Sequence, residues 1–281
     1  MDLSLHVIHD IVARALAEDV GTGDLTSMAA VPAEVRADAA FVLRESAVVC
    51  GLPVAHAVFT AVDPALELHA LLSEGTHAEA GTTIATVSGP ARGLLSGERV
   101  ALNLLQRMCG IATLTARYVE AVRGTKARIL DTRKTTPGLR ALEKYAVRVG
   151  GGTNHRFALY DGVMLKDNHL AILSAQGFSL TDAVRRVRAS VGPMVRVEVE
   201  VESVGQAAVA AAAGADMILL DNMSPDELRA AVAAIAGRAI TEASGGITLS
   251  TIRAVAESGV DFISVGALTH SARALDIGLD M

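Results

Sequence analysis

ILDTRKTTPGLRALEKYAVRVGGGTNHRFALYDGVMLKDNH, residues 129–169, is too polar and too cationic to be core, yet apolar runs bound it. The lead-in Arg128-Ile129-Leu130 ends in Asp131-Thr132-Arg133-Lys134-Thr135-Thr136-Pro137-Gly138, the pattern of a strand running out into a functional loop. A helix-forming stretch, 139–149, follows. Gly150, Gly151 and Gly152 end it and open a loop that holds Asn154, His155 and Arg156. Gly162-Val163-Met164-Leu165 then reads as a second buried strand, delivering Lys166, Asp167, Asn168 and His169. Between Arg128 and His169 eight Lys or Arg stand against four Asp or Glu, in a chain of 281 residues whose formal net charge is −6. Basic groups flanked by apolar strands and glycines are not the pattern of a solvated face, and the contrast points to a pocket for an anion.

Towards the C terminus the organisation becomes regular. Strand-like runs at 128–130, 163–165, 195–201, 217–220, 239–241 and 262–265 alternate with helix-like segments at 181–189, 206–213, 225–235 and 249–257. Repeats of about 20 to 35 residues predict a parallel α/β barrel, and about six βα units, short of the usual eight, predict an incomplete one. Polar residues at the carboxyl ends of its strands are where such a fold places chemistry. Val195-Arg196-Val197-Glu198-Val199-Glu200-Val201-Glu202 alternates strictly, which puts the three glutamates on one face. Helices cover the outside of a parallel barrel, so that face is the interior. Asp221 is a second strand-end carboxylate. Ser244-Gly245-Gly246 and Val265-Gly266-Ala267 each follow an apolar run and precede a helix-like segment, a pair of loops suited to a phosphate.

Towards the N terminus, residues 3–16 carry helical spacing, and 18–26 form a turn whose Gly-x-Gly lacks the preceding strand and third glycine of a dinucleotide site. From 37 to 97, strand-like runs at 39–43, 66–72 and 83–88 and a helix at 53–61 indicate a smaller, sandwich-like α/β domain. A helical stretch at 93–122, interrupted by Gly110, joins the two. The expected division is therefore 1–112, an N-terminal α/β domain; 113–268, the barrel; and 269–281, a tail returning to the first domain. Aromatic residues at 3% and the acidic balance argue against nucleic acid as a partner. No apolar run is long enough for a membrane span, and the start resembles no signal peptide, which suggests a cytoplasmic protein. Cys50 and Cys109, far apart and without metal-site spacing, read as small buried residues.

DTRKTTPGLRALEKYAVRVGGGTNHR followed by LKDNH resembles the quinolinate phosphoribosyltransferase family. So do EDVGTGDLT at 18–26, SGERVALNLLQRMCGIAT around Glu98-Arg99, and the ending VGALTHSARALDIGLDM with His270. The resemblance implies an incomplete barrel and a reaction in which quinolinate and phosphoribosyl pyrophosphate give nicotinate mononucleotide, pyrophosphate and carbon dioxide. Quinolinate is a dianion, for which Thr132, Arg133, Lys134, His155, Arg156 and Lys166 supply donors and charge. Lys134, Lys166, Glu200 and Asp221 are the expected catalytic groups. Glu200 and Asp221 are hard oxygen ligands for magnesium accompanying the pyrophosphate, or acceptors for ribose hydroxyls. The motif favours Glu200 over Glu198 and Glu202, although all three share the face. Ser244, Gly245, Gly246, Val265, Gly266, Ala267 and His270 complete the expected substrate contacts. No organic cofactor is needed, because the substrate's own pyridinium acts as the electron sink. The family also implies a homodimer in which Arg99 reaches the partner's site; the residues alone favour a surface arginine paired with Glu98. Three other readings remain open: a relative that uses nicotinate, a phosphometabolite sensor, and an aldolase with Lys166 as its Schiff-base lysine.

Overall fold

The structure, a computed structural model, describes residues 3–281. In chain order its elements are α1 (Leu5–Asp19), α2 (Leu25–Ala30), β1 (Arg36–Leu43), β2 (Ala47–Val48), α3 (Leu52–Val62), β3 (Glu67–Ala70), β4 (His77–Ala78), β5 (Thr83–Pro90) and α4 (Ala91–Ala121). Next come β6 (Arg128–Leu130), α5 (Arg140–Val149), β7 (Val163–Leu165), α6 (Asp167–Ala175), α7 (Leu180–Ser190), β8 (Val197–Val201) and α8 (Val204–Ala213). The chain finishes with β9 (Met217–Asp221), α9 (Pro225–Ile235), β10 (Ile240–Ser244), α10 (Ile252–Ala256), β11 (Phe262–Ser264), α11 (Ala267–His270) and β12 (Ile277–Asp280).

Two compact units result. The first comprises Met1–Ala116, Lys134–Gly151 and Ala267–Met281. Its antiparallel sheet runs β12-β1-β5-β3, so the tail strand β12 pairs with β1, Phe41 opposite Leu279. Phe41 and Phe59 meet edge to face at 6.1 Å in its core. The division differs from the sequence-based one in assigning 134–151 to this unit. The reason is close packing: a Cβ on Gly150 would strike the carbonyl of Ala112, so α5 lies against α4 only because residue 150 is glycine. Gly110 likewise does not interrupt α4. It leaves room for the carbonyl of Arg273 in the returning tail, into which any side chain would run.

The second unit, Arg117–Arg133 with Gly152–Gly266, holds a six-stranded sheet in the order β6-β11-β10-β9-β8-β7. Every pairing is parallel. This is the incomplete barrel: β6 pairs with the last strand, as in a closed barrel, and the break falls between β6 and β7. Val197, Val199 and Val201 of β8 are buried on one face, while Glu198 and Glu200 point to the other. Outside, α8 packs between α7 and α9, an approach eased by its buried Ala207, Ala210 and Ala211. Ser224 and Glu227 form a capping box that starts α9. α6 was not anticipated, and it buries none of its residues, so no apolar stripe marked it. No helix among the described residues is long and apolar enough to cross a membrane.

The amino ends of the strands are stapled by carboxylates. Asp216 accepts the Val197 amide at 2.6 Å and pairs with Arg188. Asp261 accepts the Thr241 amide at 2.9 Å and its hydroxyl at 2.7 Å, and meets Lys126 Nζ at 2.8 Å. Each aspartate precedes a strand and ties down a residue near the start of another. Burial alone would raise the Asp261 pKa, but Lys126 and Thr241 together hold it below the ordinary value of 3.8. Asp261→Asn should therefore cost about 1.5–3 kcal/mol in urea unfolding at neutral pH. The depressed folded pKa means that this difference from wild type should persist above about pH 4 and shrink as the pH falls further, with the unfolded carboxylate protonating first.

Candidate active site

Strand ends of the second unit converge on two clusters. At the rim, Lys166 follows β7 and its Nζ lies 2.6 Å from Glu200 Oε2 on β8. Asp221 ends β9. Burial, and then the charge of Glu200, raise its pKa above the ordinary 3.8, with Lys166 pulling the other way. Glu200 and Asp221 are therefore neighbouring carboxylates that one ammonium only partly balances, the setting in which a divalent cation is favourable. Next to them Asn222 adopts φ 54°, donates through Nδ2 to Asp221 and gives its amide to the Ser244 carbonyl at 2.9 Å. Gly245 sits against that asparagine at φ +97°, where a Cβ would collide with Asn222 Oδ1. Its glycine is thus required by the neighbouring loop. The chain after Gly246 runs on to Ile252 before α10 begins, so the 244–246 loop does not open directly onto a helix as expected from sequence. Val265 and Gly266 end the unit, and Ala267 begins the four-residue α11.

Deeper in the same unit lies the second cluster. Asp131, fully buried after β6, accepts Asn154 Nδ2 at 2.6 Å and the His155 amide at 2.8 Å. The His155 ring directs Nε2 to Glu198 at 3.1 Å and Glu242 at 3.4 Å. Burial alone would lower the pKa of this ring, but the two carboxylates outweigh it and push it up to about 10. Arg156 Nη1 donates to the Gly162 carbonyl at 2.8 Å. Burial and the nearby charge of Arg133 lower the Arg156 pKa, opposed by Glu198 and Asp161. Two guanidinium groups thus stand close enough to repel, in a place a dianion would relieve. Thr132 precedes Arg133 on the same strand end and is half-buried.

Glu242 was not singled out from sequence, and Glu198 only as an alternative to Glu200. Alternation put Glu198 on the right face without saying how deep it lies. Glu242 fell one residue past the expected end of its strand, whereas β10 extends to Ser244. Among the described residues, His155, Glu198 and Glu242 form the one three-residue group spaced as metal ligands, with all ligand atoms within 4.8 Å; Glu200 and Asp221 offer two oxygens.

The remaining expected residues belong to the first unit. Lys134 is exposed, and its carbonyl accepts Thr269 Oγ1 at 2.8 Å. That tie is continued by Arg107, which donates to the carbonyls of Thr269 and Ala272 and meets Glu143 at 2.7 Å. Glu143 Oε2 in turn accepts the Thr136 amide at 3.1 Å. Both ends of the 134–136 segment are thereby held. His270 is exposed, its Nδ1 2.6 Å from Ser271 Oγ. Arg99 is exposed on α4, 3.8 Å from Glu98.

A parallel barrel with basic groups and paired carboxylates at its strand ends is the framework of an enzyme for anionic substrates. Residues 24–109 match the N-terminal domain, and residues 111–280 the C-terminal domain, of quinolinate phosphoribosyl transferase; the chain belongs to that family. A nicotinate-nucleotide pyrophosphorylase (carboxylating) of Mycobacterium leprae is 46% identical over 286 residues, which is 100% of this chain and 99% of that one. The crystal structure of NadC from Streptococcus pyogenes is 43% identical and superposes with a TM-score of 0.95, covering 100% of this chain and 98% of the other. A nicotinate-nucleotide pyrophosphorylase structure from Francisella tularensis is 36% identical, with a TM-score of 0.92 over 99% and 97% of the two chains.

Removing Arg107 leaves the fully buried Glu143 carboxylate without its cation, with only the Thr136 amide described above still donating to it. Arg107→Ala should accordingly destabilise the protein by about 3–5 kcal/mol in denaturant titration, and Arg107→Lys should recover only part of this, since lysine cannot reach all four acceptors in the same fixed fork.

Proposed function

We infer that this chain transfers a phosphoribosyl group from phosphoribosyl pyrophosphate to quinolinate with decarboxylation, yielding nicotinate mononucleotide, pyrophosphate and carbon dioxide. This is the quinolinate-consuming step of NAD synthesis. The observation that carries the reading is the pair of mutually repelling guanidinium groups, Arg133 and Arg156, beside the buried Glu198, with a third cation, the ion-paired Lys166, at a strand end of the same unit. Family membership and the names of close relatives support the same reaction.

The two substrate carboxylates pair with Arg133 and Arg156, assisted by Thr132, Lys134 and His155, and Lys166 leaves Glu200 to join them. As the bond from ribose to pyrophosphate breaks, its electron pair departs with pyrophosphate and the ring nitrogen of quinolinate bonds to the ribose carbon. Glu200 and Asp221 stabilise the positive charge on the ribose while accepting its hydroxyls, and Lys134 and Lys166 neutralise the leaving group. Magnesium fits Glu200 and Asp221, whose unbalanced charge and hard oxygens suit it; when bound it supplies charge neutralisation to the pyrophosphate. The 5′-phosphate takes the amides of Ser244, Gly245 and Gly246 and of Val265, Gly266 and Ala267, with His270 alongside. Carbon dioxide then leaves the carbon next to the new pyridinium nitrogen. The bonding pair stays on that carbon and takes up a proton, so no organic cofactor is required. An ion-paired Lys166 is unlike the desolvated lysine of a Schiff-base aldolase. The enzyme works in the cytoplasm as a homodimer, in which Arg99 adds a cation to the partner's quinolinate site.

Turnover with phosphoribosyl pyrophosphate and magnesium should consume quinolinate and release carbon dioxide, and nicotinate should react poorly; equal turnover of the two acids would overturn the reading. Arg133→Ala should weaken quinolinate binding by about 2–5 kcal/mol in calorimetry and leave the ribosyl donor's affinity nearly intact. For the dimer, mixing inactive Arg99→Ala with inactive Arg133→Ala should restore roughly a quarter of wild-type activity once subunits exchange, because half the dimers then carry one intact site. Exchange without recovery would place Arg99 outside the partner's site.

A further inference from the structure

The reaction inferred above uses Arg133, Arg156, Lys166, Glu200 and Asp221, and it assigns nothing to two carboxylates on the floor of the same unit. Glu198 is 5% exposed and Glu242 0%. They rise from β8 and β10, the two neighbours of β9, and converge on one atom, Nε2 of His155. Neither oxygen of Glu242 nor Oε1 of Glu198 has a hydrogen-bond partner among the described residues, so the contact with the ring is electrostatic. Two desolvated carboxylates cannot face each other unless something positive or donating stands between them. The ring, carrying a positive charge, fills that place. Asp131 holds the amide of His155 itself. The ring and its own backbone are thus both held, and Arg156 is the next residue along that backbone.

We propose that Glu198 and Glu242 are positioning residues: they clamp the His155 ring from two strands, and through the 155–156 backbone they place the Arg156 guanidinium for a carboxylate of the pyridine substrate. The role in catalysis rests on the functional reading above, whereas the clamp is a property of the fold alone. The raised pKa of the ring agrees with a proton held between Nε2 and the carboxylates.

The test combines ring NMR with ligand binding in wild type, Glu198→Gln and Glu242→Gln. In wild type the His155 ring should titrate near 10, and in each variant its midpoint should fall towards the ordinary 6.5. Quinolinate affinity should drop at least about tenfold in each variant and its KM should rise, while affinity for phosphoribosyl pyrophosphate stays within about twofold, a split that general loosening of the fold would not produce. A wild-type midpoint near 6.5 sinks the proposal even if neither variant folds. So would folded variants with wild-type quinolinate affinity. A stoichiometric transition metal in purified wild type that is lost in Glu242→Gln would also overturn it, making the cluster a metal site. If wild type binds no quinolinate, the inferred reaction fails and the proposed role in it goes too, while the ring midpoint still reports whether the clamp exists.

Discussion

The bonds on which the rest of the site hangs are those from Asp131 to the 154–155 segment. Between β6 and β7 the chain makes its longest excursion in the barrel region, out through α5 and back. Thr153 returns to lie parallel beside Leu130, its amide bonded to the Ile129 carbonyl at 2.8 Å. Asp131 then fastens the next two residues with its carboxylate. A buried carboxylate is tolerable only where donors meet it, so the strand end and the returning segment each need the other. Loosening this tie would free His155 and Arg156 together, and with them the second guanidinium of the anion site.

From that anchor the interior is graded by depth. One alternating strand places Glu198 in the buried floor, Glu200 at the rim against Lys166, and Glu202 in solvent. The same side chain is set three different tasks by a rise of two residues at a time. At the floor, burial makes partners obligatory and the carboxylates are fixed. Higher up, partial exposure lets an ion pair such as Lys166 with Glu200 exchange for substrate without a large desolvation penalty.

The sequence revealed the barrel strands because apolar runs end there in charged or glycine-rich segments, and β6, β7 and β9 stand within a residue of where periodicity puts them. It also revealed the cationic groups, whose types have few uses beside buried strands. Depth was not legible, and so Glu242, and its meeting with Glu198 and the expected His155, was missed: a period of two assigns a face but says nothing of which layer along the strand is closed. Gly110 was misread because glycine in a helical stretch weakens it by propensity, while the reason for it here, the passage of the tail at Arg273, lies far away in sequence. α6 was invisible for the opposite reason. Leu170, Ile172 and Leu173 give it no buried stripe in this chain, so nothing in their spacing announces a helix.

The position of the break in the sheet has a consequence for how the protein is made. β6 is the first barrel strand to leave the ribosome, yet its partner strand is β11, which follows roughly 130 residues later. β7, β8, β9, β10 and β11 can add one after another as they emerge, each beside its predecessor. The opening strand must wait for the whole row before its ladder partner Phe262–Ser264 exists, although the 153–155 segment can meet it and Asp131 earlier. β6, whose end carries Asp131 and Arg133, therefore takes its place in the sheet only when the last barrel strand has been made, although it is encoded first.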